Sequence, residues 1–297
     1  MHVPTRINPA PLRDASSTPD AYSTSFTCLR IIEQKLSQNP SCLHLLHSGF
    51  VGVTDTYFKS VVHANRGHVP SIQNLMSFQR HTFNRGGLTF SYLDTGSSPA
   101  STNRPPLLCL HAHLMQGATY TGLAETLSPD YRVIAPDQRG HGESSHAATY
   151  TREDYLADIE ALLALLDLPQ AILLGNSFGG VNAYQFAARH PERVRALIIE
   201  DIGAVVTDDI SFILPWQGLF STREELEAKI GARFAPYFRD SFRHSDTGWH
   251  LAFDPQDMVR SQQNLVGDHW SDWLASDCPA LILRDRESRV TSEEQLE

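Results

Sequence analysis

Leu174-Gly175-Asn176-Ser177-Phe178-Gly179-Gly180 ends an apolar run over 171–174 and opens a stretch, 178–190, that reads as a helix stopped by Pro191. Strand, serine flanked at two positions on either side by Gly175 and Gly179, then helix: this is the order of a sharp strand-to-helix turn. Glycines let the chain close that tightly, and the turn lifts the serine hydroxyl clear while aiming the helix N-terminus at whatever reacts there. Ser177 is therefore a candidate nucleophile. A G-x-S-x-G string by itself recurs by chance; the strand before it and the helix after it weigh against a plain turn.

Outward from this turn the pattern stays regular. Short apolar runs at 88–93, 106–111, 131–136, 170–175, 196–201 and 280–284 alternate with helical stretches, as in a mostly parallel sheet covered by helices on both faces, an α/β fold. Residues 151–166 carry Leu156, Ile159, Leu162, Leu163 and Leu166 at helical spacing, with Glu153 and Asp154 near the start and Leu168-Pro169 as a stop. The alternation breaks at 206–276, which holds a charged helical piece at 222–230 and all four tryptophans, Trp216, Trp249, Trp270 and Trp273. An aromatic insertion between two sheet strands is expected to form a helical cap over a pocket.

Residues 1–75 differ in kind: six basic against four acidic residues, many Ser, His, Pro and Asn, and little apolar mass beyond a short helical patch near 29–36. This segment is expected to be largely disordered, with the compact domain, and the natural start of the protein, at Met76; a targeting or docking arm is the rival reading. The resulting division is an extension at 1–75, a core at 76–205, the cap at 206–276 and a continuation of the core at 277–297.

The 297 residues, 41% hydrophobic and 20% charged, suit one large globular domain with an insertion and exclude collagen, coiled coil and wholly disordered chains. With 24 Lys+Arg against 34 Asp+Glu the net charge is −10, which disfavours nucleic acid or an anionic membrane surface as partner. No run approaches the roughly 20 apolar residues of a membrane span, and the N-terminus lacks the order of a signal peptide; the expectation is cytoplasmic. Cys28, Cys42, Cys109 and Cys278 are widely spaced, indicating neither a zinc site nor a disulfide framework.

Further stretches share a resemblance. The run ending Leu110-His111, the turn Asp137-Gln138-Arg139-Gly140-His141-Gly142-Glu143-Ser144, the helix tail Ala187-Ala188-Arg189-His190-Pro191-Glu192-Arg193-Val194 and the strand end Glu200-Asp201-Ile202-Gly203 stand in the order in which the α/β-hydrolase superfamily carries them, with 171–180 as its nucleophile elbow. From about 78 to 297 the chain resembles that superfamily, which implies its fold and a serine hydrolase. By the same resemblance an Asp at Ser177 would have meant a dehalogenase or epoxide hydrolase, whereas serine points to acyl transfer to water.

The resemblance also implies the other site residues. In the superfamily's order of serine, acid, histidine, the late turn that commonly carries the acid reads Asp285-Arg286-Glu287-Ser288 here, with Ser288 in the place of the Asp. A subset of esterases instead takes an Asp from the end of the preceding strand, with a serine in the later turn. Asp201-Ile202-Gly203-Ala204 with Ser288 resembles that subset, although Ala204 replaces its proline, so Asp201 is preferred over Glu287 as the acid; its plainer role is a turn cap. The oxyanion donors implied are the backbone amides of Phe178 and His113. His111-Ala112 stands where His-Gly is usual, and alanine resists positive φ; the His113 side chain is placed at the pocket mouth or facing solvent. The base would follow Ser288 after another helix and strand, but Thr291-Ser292-Glu293-Glu294 reads as a capping box and the sequence ends at Glu297, so a histidine loop is expected to be missing. His269 is the remaining candidate base, against the commoner role of a satisfied histidine.

Other chemistries fit less well. In a metal-binding HxHxDH motif, Met115 and Gln116 would have to be Asp and His, and Ser177 replaces the middle glycine of a dinucleotide loop. No metal or organic cofactor is expected. The function expected is hydrolysis of a small carboxylic ester, thioester or lactone through an acyl-enzyme on Ser177. The alternatives are a carbon-carbon bond hydrolase of the same fold and an inactive or ligand-binding relative. Oligomeric state is not legible.

Overall fold

The apolar runs become strands in the computed structural model, which describes residues 78–284; the expectations for 1–75, Glu287, Ser288 and the helix start at Thr291 lie outside the described residues. The first strands are β1 (Gln79–Arg85), β2 (Leu88–Asp94), β3 (Leu107–Leu110) and β4 (Val133–Pro136), followed by β5 (Ala171–Asn176) and β6 (Val194–Glu200). Between them run α1 (Thr121–Leu127), α2 (Arg152–Leu165) and α3 (Phe178–Arg189). Helix α2 begins where the sequence places it because Thr151 and Asp154 cap each other reciprocally, the Thr151 side chain accepting from the Asp154 amide.

The insertion leaves the core through β7 (Val205–Val206) and includes α4 (Arg223–Ile230), α5 (Ala235–Phe238), a hairpin of β8 (Phe242–Ser245) and β9 (Gly248–Leu251), and α6 (Pro255–Leu265). It returns through β10 (Gly267–Asp268), which pairs with β7 and closes its neck. It is thus a mixture of helices and a hairpin, not wholly helical. Its aromatic residues build its own core: the Trp216 ring lies 5.6 Å from Phe212, 5.9 Å from Phe234 and 5.7 Å from Phe238. Past the neck, α7 (Trp270–Leu274) packs on α3, Trp273 edge-on to Tyr184 at 5.1 Å, and β11 (Ala280–Leu283) completes the sheet.

Seven strands lie in the order β1-β2-β4-β3-β5-β6-β11, parallel except that β2 runs against both its neighbours. Because successive side chains alternate across a sheet, Cys109, Ile172 and Leu174 pack with Leu123 and Leu127 of α1, while Leu110 and Leu173 pack with α2 and α3 on the other face. Leu107, Leu108, Val133, Ile134 and Leu173 are fully buried, so the strand ends that carry the site stand on a rigid base.

Candidate active site

From β3 the chain crosses to β4 on one side, and from β5 to β6 on the other, so the carboxyl ends of β3 and β5 adjoin where the connections diverge. Open α/β sheets hold ligands at that crevice. Leu110 ends β3 and pairs with Gly175 of β5, which places 111–113 beside Ser177.

Ser177 has φ 49° and ψ −116°, a conformation forced on a residue with a Cβ. The turn is held by its own backbone: the Ser177 amide donates to the Glu200 carbonyl at 2.8 Å, and its carbonyl accepts from Gly180 at 2.8 Å and Val181 at 3.2 Å. The flanking glycines are required by close approach. A Cβ on Gly175 would lie 2.3 Å from the Gly179 carbonyl oxygen, and one on Gly179 would lie 2.0 Å from that of Leu110. The same contact seats the end of β3 on the first turn of α3.

The loop that follows β3 lies over that turn. The His113 ring stacks on Phe178 with centroids 3.9 Å apart, and its Nε2 bonds Ser261 Oγ of α6 at 2.9 Å. The half-buried side chain is therefore held between the Ser177 turn and α6 of the insertion, and burial pushes its pKa down to about 3. Positive φ in this loop falls on Leu114, at 69°, and not on Ala112, so alanine in place of the usual glycine costs no strain there. The backbone amide donors proposed for an oxyanion, those of Phe178 and His113, thus belong to segments stacked on each other.

Buried amides and histidines fix this loop from behind. His111 Nε2 accepts from the Gln138 amide at 2.9 Å, so Nδ1 bears the proton and donates to the Ala112 carbonyl at 2.8 Å; burial lowers its pKa to about 4. Gln138 Nε2 donates to the His111 carbonyl at 2.7 Å, Asn182 Nδ2 to Gln138 Oε1 at 2.6 Å, and Arg152 Nη2 to Asn182 Oδ1. Asp137, at the head of the turn singled out in the sequence, accepts from the amides of Gly117 at 2.8 Å and Glu143 at 3.0 Å and from Arg80 at 2.6 Å. That turn supports the site and supplies no reacting group. The Gln138–Asn182–Arg152 chain was not singled out in the sequence, since only the fold brings the three together.

Asp201 follows β6, whose Glu200 pairs with Asn176, so Ser177 and Asp201 leave adjacent parallel strands at one level. Its φ of 50° turns the chain sharply, and its amide donates to Leu283 of β11 at 2.8 Å. Burial and the neighbouring Asp201 carboxylate push Glu200 up to about 7, against a hydrogen bond from Asn176. His269, expected as a spare base, is engaged elsewhere: its Nε2 bonds the Leu265 carbonyl at 2.7 Å, leaving Nδ1 to accept from Gln185 at 3.3 Å. It is a satisfied histidine joining α6 to α3. Among the described residues no group of three His, Cys, Asp or Glu side chains is arranged to hold a metal ion, and no helix is long and apolar enough to cross a membrane.

The family described as the alpha/beta hydrolase fold matches residues 105–274, more than half of the chain, and the chain belongs to it. Hydrolytic activity is the activity for which its named relatives speak. The 2-(acetamidomethylene)succinate hydrolase of Mesorhizobium japonicum is 27% identical over 221 residues, covering 70% of this chain and 77% of that protein. A crystal structure of E-2-(acetamidomethylene)succinate hydrolase superposes with a TM-score of 0.64 at 25% identity, over 74% of this chain and 85% of that one. The cis-3-alkyl-4-alkyloxetan-2-one decarboxylase of Shewanella oneidensis is 30% identical over 138 residues, 45% of this chain but 42% of its own length.

Proposed function

We propose that this chain is a serine hydrolase that cleaves a small carboxylic ester, thioester or lactone through an acyl-enzyme on Ser177. The observation that carries the reading is the strained serine, φ 49° and ψ −116°, at the crevice where the sheet connections diverge. A backbone held in so unfavourable a conformation by flanking contacts suits a hydroxyl that must stand clear for attack.

In this reading Ser177 Oγ attacks the acyl carbon as a base takes its proton, and the tetrahedral oxyanion receives the amides of Phe178 and His113. Collapse expels the alcohol or thiol, and water, activated by the same base, releases the acid and restores the serine. Asp201 is the carboxylate that would orient the base; the superfamily's base is a histidine after Ser288, and residues 289–297 hold none, so no residue of this sequence is assigned that role, while Glu287 and Ser288 would support the acid. The Mesorhizobium relative acts, by its name, on 2-(acetamidomethylene)succinate, and a small acyl substrate is in keeping with that.

Hydrolysis of p-nitrophenyl acetate and butyrate by the full chain tests the reading. Ser177→Ala is expected to lose about 10³-fold or more, keeping only the residual turnover that oxyanion donors and binding supply, and Asp201→Asn to lose about 10³-fold or more, as when the orienting acid of a triad is removed. Turnover undiminished in Ser177→Ala contradicts it.

A further inference from the structure

The two proposed oxyanion donors belong to different segments: the His113 amide lies in the loop after β3, and the Phe178 amide opens α3. Their spacing is set by whatever joins those segments. One joint is backbone contact, since a Cβ on Gly179 would lie 2.0 Å from the Leu110 carbonyl oxygen. A second is a chain of buried side chains. Arg152 Nη2 donates to Asn182 Oδ1, Asn182 Nδ2 to Gln138 Oε1 at 2.6 Å, and Gln138 Nε2 to the His111 carbonyl at 2.7 Å. Asn182 stands one turn after Phe178 on α3, and His111 just precedes the Ala112–His113 peptide, so the chain ties the helix of one donor to the loop of the other.

The chain can run in one direction only. A guanidinium has no acceptor, so Arg152 holds the Asn182 amide with Oδ1 toward itself and Nδ2 toward Gln138. Gln138 is thereby held with Oε1 toward Asn182, which turns its Nε2 onto the His111 carbonyl, a group that only accepts. The backbone amide of Gln138 meanwhile donates to His111 Nε2 at 2.9 Å and leaves the Nδ1 proton for the Ala112 carbonyl at 2.8 Å. That carbonyl and the His113 N–H belong to one peptide group, and in a trans peptide they point in opposite directions within one plane. Holding the Ala112 oxygen therefore sets the direction of the His113 N–H. It also strengthens that N–H as a donor, because hydrogen bonds in a chain polarise one another.

We propose that the Gln138–Asn182 amide pair is a strut that holds the two oxyanion donors in register, and that Gln138 and Asn182 are positioning residues of this site. Neither is assigned a contact with the reacting atoms: Gln138 acts through His111, and Asn182 through Gln138 and α3. The inference deepens the serine-hydrolase reading, resting on it for the oxyanion and on geometry alone for the strut. Buried amides pair with one another for stability in any case. The strut goes further, because it requires a change on α3 to be felt at the amide of residue 113.

Nuclear magnetic resonance of the full chain with isotope-labelled histidine tests the strut without turnover, and p-nitrophenyl butyrate hydrolysis tests it with turnover. Asn182→Asp is nearly the same size; it keeps the acceptor for Arg152 and loses the donor for Gln138. It is expected to move the His113 backbone amide resonance more than that of His190, which caps the far end of the same helix. Gln138→Leu, checked by circular dichroism and melting, is expected to do the same. In both variants kcat is expected to fall about tenfold or more with KM little changed, since a displaced donor is missed in the transition state. If Gln138→Leu does not fold, Asn182→Asp decides alone. A His113 resonance that stays put or moves no more than that of His190, or a loss confined to KM, overturns the proposal. A shifted His113 amide with turnover undiminished by Ser177→Ala leaves the strut standing and removes the acyl-transfer reading. Turnover that depends on Ser177 while kcat and the His113 amide ignore Asn182→Asp does the opposite.

Discussion

At Ser177 the backbone holds a strained conformation, φ 49° and ψ −116°, which supports the proposed nucleophile. Its position between Gly175 and Gly179 was legible in the sequence, but the reason for the glycines was only half legible. The turn needs them because carbonyl oxygens approach where a Cβ would stand, 2.3 Å away at Gly175 and 2.0 Å at Gly179. Gly179→Ala is therefore expected to force β3 away from α3, with a loss of about 3 kcal/mol as in other overpacked sites. Urea unfolding measures it, and a midpoint within error of the parent would show that the contact relaxes freely. Asp201 was singled out through the resemblance of its strand end, and it leaves β6 level with Ser177, whereas the bond of His269 with Gln185 was not legible, because it joins residues distant in sequence that meet only when the neck of the insertion packs on α3.

Among the elements, strands and core helices follow directly from periodicity: α2 and α3 begin and end within a residue or so of their sequence signals, since capping by Thr151 and the break at Pro191 are local chemistry. The hairpin β8–β9 was missed. It is short, and its turn signal, Asp246-Thr247-Gly248, lies within a stretch whose tryptophans drew attention to a helical cap. The loop after β3 carries a titration signature. His111 and His113 are held neutral, with pKa values lowered to about 4 and about 3, while in the unfolded chain they protonate near 6.5. The unfolded state thus binds more protons between those values, and stability contributed by the two rings is full above about pH 6.5 and lost as pH falls toward 3 to 4. His113→Phe keeps a ring over Phe178 and removes one titration, so its melting temperature is expected to fall less steeply below pH 6 than that of the parent. An identical slope would remove His113 from the acid transition.

Across the whole molecule, the insertion is tied to the core beside the candidate site. Asp257 of α6 accepts from the Tyr150 hydroxyl at 2.6 Å and bonds His146 at 2.9 Å, and Ser261 one turn on meets both His113 and Tyr155. These contacts seat α6 directly against the loop after β3, which links the position of the insertion to the proposed oxyanion donors. Asp257→Ala leaves the buried Tyr150 hydroxyl without its acceptor, a loss of about 1–3 kcal/mol, and is expected to speed amide exchange over Pro255–Leu265 while leaving β3 and β5 protected. Uniform acceleration across the sheet would mean that cap and core unfold together. None of this interlock is visible in the sequence, because neither the cap's charge pattern nor its aromatic content says which residues face the core. The role of Ser177 can be read without knowing the substrate. The full chain is incubated with a fluorophosphonate, digested, and the modified peptide sequenced by mass spectrometry. If Ser177 is the nucleophile, the adduct is found on that residue and disappears in Ser177→Ala; an adduct elsewhere, or undiminished labelling of the variant, refutes it.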